Sequence, residues 1–476
     1  MYSFKEYIQA RVNDVDNMNK KSNDRSNKYV RASRQRRRSK ALPGGGELTL
    51  VSGPDSEDYF ARGMELRRGS LETPMDEAAS IELLELAAEE KHLGASAAIA
   101  LLCEDKIPEE VRERHFNRAE KWIYQAAEEG SQWGLLFLGT MYFDGQRVDQ
   151  DYSKAAEYFQ KAADQGNASA LGFLGYMYSA GHGVLQNRQA SVNYYRKAAD
   201  KGHVVAQFDL GVCYAQGRGV PKDRREAIKW FTLAAERGDV HAQAMLAKMY
   251  ATGRLVEQSD HDALQWFTTA AENNHAPSQF DLGTCYINGV AGALDYTTAM
   301  KWFRKAAEAG YAPAQLDMGI GCALGLGVPK DVYQSVYWLR MAADQNNAAA
   351  QYNLGRMYEH GLGIDKDDYE AISWYRKAGE RGNSRAQVNL GLRYANGKGV
   401  IRNYRRAERW LRAAADQGDM RAQYNLGVLH QHGWGVIKNI DTAIKYFETA
   451  SAQGYARAKK ALAVVKKNQQ RELEPA

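Results

Sequence analysis

At 476 residues the chain exceeds the roughly 250–300 residues at which one hydrophobic core stops growing, so it must form several domains or a one-dimensional stack. Nine prolines, plentiful alanine and 11% aromatic residues suit helices packed through small side chains. The net charge of +5 comes from one end: residues 1–40 hold twelve Lys/Arg and four Asp/Glu, and the remainder holds 51 basic and 54 acidic residues. No run approaches the roughly 20 apolar residues of a membrane span. The opening Met1-Tyr2-Ser3-Phe4-Lys5-Glu6 lacks the apolar stretch of a secretory signal. A cytoplasmic location is expected, and non-classical secretion would leave the same trace.

In chain order, residues 1–55 read as a basic and disordered tail. Its charge is concentrated in Arg31, Arg34, Arg36, Arg37, Arg38 and Lys40, and Pro43-Gly44-Gly45-Gly46 forms a break. Residues 20–40 admit three readings: a solvated leader, contact with nucleic acid or an anionic lipid surface, or docking on an acidic protein or on the rest of this chain. Tyr29 is the main aromatic residue among these charges, so recognition by base stacking is not expected. Residues 56–130 read as two degenerate repeats, marked by Ala61 to Leu66, Glu85-Leu86-Ala87-Ala88, Ala97 to Leu102 and Ala126-Ala127.

From residue 131 to 454 the period is strict. Leu-Gly stands at Leu138, Leu174, Leu210, Leu282, Leu354, Leu390 and Leu426, with Leu246-Ala247 and Met318-Gly319 filling the two gaps. An aromatic followed by a bulky residue begins at Tyr158, Tyr194, Trp230, Trp266, Trp302, Trp338, Trp374, Trp410 and Tyr446. Both markers recur every 36 residues through nine copies without a slip. Within one copy, Ala348, Ala350, Leu354, Gly355 and Tyr358 form an apolar stripe at helical spacing. Gly361-Leu362-Gly363 stops that helix, and Asp367 or Asp368 caps a second helix carrying Ala371, Trp374, Tyr375 and Ala378. Gly382 closes the copy. Neither helix could bury its stripe alone, so copies must stack. Residues 455–476 add a capping helix, opened by Ala456, Ala458 and Leu462, and a polar end.

The pattern Ala-x-Ala-x-x-x-Leu-Gly-x-x-Tyr-x-x-Gly-x-Gly-Val, then Ala-x-x-Trp-Tyr-x-Lys-Ala-Ala, resembles the Sel-1-like repeat family, relatives of the tetratricopeptide repeats, over about residues 95–460. The resemblance implies an all-α fold, a right-handed α/α superhelical solenoid with the first helix of each pair lining the concave side. It also implies a non-enzymatic adaptor that assembles complexes or serves signalling. Asn274 and Asn346 replace the closing glycine, and Arg147, Leu255 and Ala291 replace the second loop glycine. Cys322 stands where most copies have a tyrosine and should loosen the packing there. Some secreted relatives carry a cysteine pair in each repeat; here four scattered cysteines favour a reducing location.

No motif for chemistry stands out. Gly217-Arg218-Gly219 follows a helix and recurs in each copy, so it reads as a turn rather than a phosphate loop. His430, His432 and His360 lack evident carboxylate partners, so no metal is expected, nor any cofactor or small-molecule substrate. Gln207, Gln243, Gln279, Gln315, Gln351, Gln387 and Gln423 recur at one position; hydrogen bonding between copies is favoured over a binding ladder.

Partner contacts are expected at the first-helix positions that vary. These are Trp133, Leu136, Phe143, Tyr176, Phe208, Lys248, Phe280, Tyr352, Arg356, Glu359, Arg385, Arg421 and Tyr424, since aromatic and Arg residues anchor interfaces. The earlier copies offer an apolar wall and the later ones a basic wall. An extended or helical peptide with its acidic end toward the later copies would match both. The leading expectation is a scaffold for a protein partner. The alternatives are a regulator tethered by its tail to nucleic acid or an acidic membrane, and an exported effector acting on a host.

Overall fold

The computed structural model describes residues 56–68, 77–89, 92–102, 108–290, 292 and 294–473. The basic tail expected over residues 1–55, Cys103 and Ala291 lie outside them. The described residues form 23 α-helices and no strand. They fall into two compact units, one ending at Ser278 and the other beginning at Gln279, a division that the even period does not announce. Each unit is a stack of helix pairs, an α-solenoid. The first helices of the last three copies are Ala348–His360, Ser384–Asn396 and Met420–His432, and the second helices are Asp368–Glu380, Tyr404–Asp416 and Ile440–Ala452. The final helix runs Ala456–Leu473.

Local sequence sets the starts of the second helices and the ends of the first helices in the nine strict copies. Of the two capping candidates it is Asp367 that serves, its Oδ1 accepting from the N–H groups of Tyr369 and Glu370 at 2.8 and 3.0 Å. Asp151, Asn187, Asp223, Ser259, Asp295, Asp331, Asn403 and Asn439 cap the other second helices in the same way. First helices end at a left-handed glycine such as Gly361. Asn274 and Asn346, in place of the closing glycine, keep φ at 60° and 67°, as asparagine can. Gly363 shows why the second loop glycine recurs. Its φ is 67°, and a Cβ there would land on the carbonyl of Val332 in the preceding repeat. Arg147 and Leu255 still hold φ of 62° and 69° at that position. The Arg147 guanidinium lies 5.2 Å from the Phe116 ring centre and pairs with Glu113.

The two sequence markers prove to be one packing device. In every Leu-Gly copy, and at Met318-Gly319, the glycine faces the bulky residue that follows the aromatic on the second helix of its own repeat. A Cβ built on Gly139, Gly175, Gly211, Gly283, Gly319, Gly355, Gly391 or Gly427 would stand 2.5 to 2.8 Å from Phe159, Tyr195, Phe231, Phe303, Leu339, Tyr375, Leu411 or Phe447. The absent side chain lets the helix axes close until ring meets backbone. All eight partners are buried, and Phe159, Phe231, Phe303, Tyr375 and Phe447 are nearly sealed from solvent.

The glutamine series holds copies together. The Nε2 atoms of Gln207, Gln243, Gln315, Gln351 and Gln387 donate to the carbonyls of Ala199, Ala235, Ala307, Ala343 and Gly379 of the preceding second helix. The Oε1 atoms of Gln243, Gln315, Gln387 and Gln423 accept from Asn273, Gln345, Gln417 and Gln453. Where arginine takes the donor's place, at Arg237 and Arg381, the oxygens of Gln207 and Gln351 are left without a hydrogen bond. The ladder is thus structural rather than a binding surface. Gln387→Ala is expected to cost about 1–2 kcal/mol, because it removes the buried hydrogen bond to the Gly379 carbonyl and the one that Gln387 accepts from Gln417. A urea titration of the variant beside the parent checks this.

Candidate functional site

The first-helix residues expected to face a partner divide into three groups. Leu136 and Phe280 are sealed, at 0% and 2% exposure, so neither offers a contact surface. Phe280 stacks on Phe303 at 5.0 Å and meets Tyr311 edge-on; Leu136 sits in the apolar interior of the N-terminal unit. Spacing along the helix cannot separate the open flank of the apolar stripe from the flank that the next helix covers.

A second group is half-buried and packed against rings of its own and neighbouring helices. Trp133 meets Phe60 at 5.4 Å and Phe137 at 6.3 Å. Phe143 lies 5.7 Å from Phe173 and 6.0 Å from Tyr176, and Phe208 lies 6.3 Å from His241. Lys248 is half-buried near His275. Burial, then the charges of His241 and Lys248, push the His275 pKa down to about 3. Tyr352 and Tyr424 rest against Tyr375 and Phe447. Each of these residues presents only an edge to solvent.

The third group is charged. Arg356 and Arg385 are exposed, and Arg421 is 42% exposed, with its guanidinium 3.5 Å from Asp419. Glu359 has a different role. It belongs to a buried cluster around Arg393, whose side chain is 4% exposed and reaches Glu359 at 2.9 Å and Asp368 at 3.0 Å. The Tyr375 hydroxyl donates to Glu359 at 2.6 Å, and Lys398 Nζ approaches it at 3.2 Å. Burial alone would raise the Glu359 pKa, but the Tyr375 hydrogen bond and the charges of Arg393 and Lys398 hold it below the usual glutamate range. Glu359 is therefore a structural ion partner, not a contact residue. Arg393 went unnoticed in the sequence, although a signal was there: the position holds Met141, Met177, Met249, Met357 and Leu429 in other copies.

The described cysteines are withdrawn from solvent. Cys213, Cys285 and Cys322 are buried and in no disulfide, and burial pushes the Cys213 thiol up to about 12. Cys322 fills its place in the interior, at 4% exposure. His430 and His432 lie over the rings of Tyr446 and Trp434. Among the described residues no cluster of His, Cys, Asp and Glu is placed to hold a metal ion. No described helix is long and apolar enough to cross a membrane.

The comparisons agree with this geometry. The model of the Sel1 repeat matches eleven segments, 57–92, 114–131, 134–167, seven consecutive copies covering 168–419, and 421–455. Among solved structures, the chain is similar to c5321, a protective antigen of uropathogenic Escherichia coli strains displaying an SLR fold. Identity is 31%, the TM-score is 0.65, and the match covers 88% of this chain and 90% of that one. A Sel1 repeat protein from Oxalobacter formigenes is 29% identical with a TM-score of 0.54, over 65% of this chain and 90% of that one. No curated protein matches the chain. Eleven segments that follow the repeat through both units, in the helix pairs just described, place this chain in the Sel1 repeat family.

Proposed function

We propose that this protein is a non-enzymatic scaffold that holds a polypeptide partner along the face formed by its first helices. Proteins built from Sel1 repeats are generally protein-interaction scaffolds. The observation that carries the reading is a division of labour within each repeat. The recurring residues, the Leu-Gly glycine, the ring beneath it and the glutamine, are consumed inside the stack. Tyr176, Val212, Lys248, Ile320, Arg356 and Leu392 share one first-helix position, differ in kind and keep part of their surface open. A row of different side chains, one per repeat, is suited to reading an extended chain rather than a compact small molecule. The earlier copies contribute aromatic edges, and the later ones contribute arginine.

Site-specific photo-crosslinking in the native cell tests this. Crosslinkers at Val205, Arg356 and Arg385 on first helices are each expected to trap a polypeptide, and those at exposed Lys229 and Arg409 on second helices are expected not to. Capture from the second helices alone, or from no position, would overturn the reading.

A further inference from the structure

The last two first-position helices, Met420–His432 and Ala456–Leu473, flank an open groove of about 340 Å³ lined by Tyr424, Gln431, Arg457, Lys460, Ala461 and Val464. Arg457 and Lys460 are exposed and make no hydrogen bond or ion pair among the described residues. Lys466, on the same helix, is by contrast tied to Glu448 at 2.7 Å. Val464 is 56% exposed, so apolar surface stands open beside the two free cations.

Charge is sorted by helix around this groove. Residues 384–396 and 420–432 contain no Asp or Glu, and the first acidic residue after Ala456 is Glu472. The second helices of the same copies carry the acids: Asp368, Glu370 and Glu380, then Glu408 and Asp416, then Asp441 and Glu448. Arg385, Arg421 and Arg457 occupy one repeat position, which Pro313 and Ala349 hold in the two preceding copies. The arginine row thus begins late in the chain and continues into the final helix. Arg421 is met by Asp419 at 3.5 Å, but no carboxylate pairs with Arg457 or Lys460 among the described residues, and these two cations favour an anionic occupant.

We infer that this terminal groove captures an acidic segment of a partner polypeptide, with Arg457 and Lys460 receiving its carboxylates and Val464 and Ala461 packing on the apolar side chains between them. The inference rests on the first helices being the binding face. A nucleic acid fits less well. Its bases would need a free aromatic face on which to stack, and the Tyr424 ring is already engaged by Phe447 at 5.7 Å and Tyr455 at 5.4 Å. Its phosphates would meet cations interrupted by Ala461 and Val464.

The test is fluorescence anisotropy with the full chain and a fluorescein-labelled peptide of repeated Asp-Ala-Leu, beside its Asn-Ala-Leu counterpart, at low and moderate salt. The acidic peptide is expected to bind at least ten-fold more tightly, and the preference should shrink as salt rises. Arg457→Glu with Lys460→Glu should abolish that preference, and Lys445→Glu on a second helix should leave it in place. Residues 1–55 are present in every variant, so binding by the basic tail would not follow this pattern. Arg457→Gln with Lys460→Gln gives the same test without charge reversal, and an unchanged circular dichroism melt shows that each variant is folded. Equal binding of the two peptides, indifference to the groove substitutions, or displacement of the peptide by a single-stranded oligonucleotide that binds more tightly would overturn the proposal. Crosslinking at Val205 and Arg356 would still report separately on the wider face.

Discussion

Replacing Arg393 with methionine, the commonest residue at that position among the copies, is expected to destabilise the C-terminal unit by about 3–5 kcal/mol, as breaking a buried ion pair does. The substitution supplies apolar bulk of suitable size, so packing is not the main loss. What remains is Glu359, a carboxylate at 17% exposure whose closest cation has gone, and Asp368 with one contact fewer. Lys398 reaches Glu359 from a half-exposed position at 3.2 Å and offsets only part of the loss. Replacing the rest of the cluster should recover most of the stability. Arg393→Met with Glu359→Ala and Tyr375→Phe rebuilds the apolar arrangement of the other copies, because Tyr375 loses its hydroxyl together with the acceptor. Urea unfolding of the single and triple variants decides the matter; equal losses in both would show that the ions are not the cause.

The cluster also predicts a pH dependence. The pKa of Glu359 is lower in the fold than in the unfolded chain, so its ionised form stabilises the fold at all pH values above the unfolded one. That contribution is lost as pH falls through the depressed folded value. Acid should therefore narrow the difference between the parent and the triple variant, and neutral pH should widen it. Thermal melts of both proteins from neutral to acid pH check the sign.

Gly355→Val should cost about 3 kcal/mol or slightly more, at the upper end of overpacking effects. A Cβ at this position stands 2.8 Å from Cδ1 and Cε1 of Tyr375 and 3.1 Å from the Ala371 carbonyl. The ring is sealed and its hydroxyl is anchored to Glu359, so it cannot turn aside. Gly355→Ala should be milder, because Ala247 occupies the equivalent place above Phe267 in another copy and because alanine favours the helix by up to about 1 kcal/mol over glycine. Gly355→Val with Tyr375→Ala should be less destabilised than the sum of the two single changes, since the added side chain fills space that the ring vacates. Denaturant midpoints for the four proteins form the double-mutant cycle, and strict additivity would refute the contact.

The sequence by itself determined the repeat, its register and its boundaries, because these follow from local chemistry repeated every 36 residues. Asp367 caps a helix through its own neighbours two and three residues on, and Gly361 ends one through a backbone angle. Tertiary structure decided which side of a first helix is open. Leu136 and Phe280 sit at variable positions yet are covered, because burial depends on the neighbouring helix and not on spacing within one helix. It decided too that Glu359 faces Arg393, 34 positions further along the chain, and is therefore occupied. The terminal groove depends on the same kind of information: Arg457 looked like part of a polar cap until the final helix stood beside Tyr424 and Gln431. Local capping and periodicity are written within a few residues, whereas the availability of a side chain depends on what the next repeat places against it.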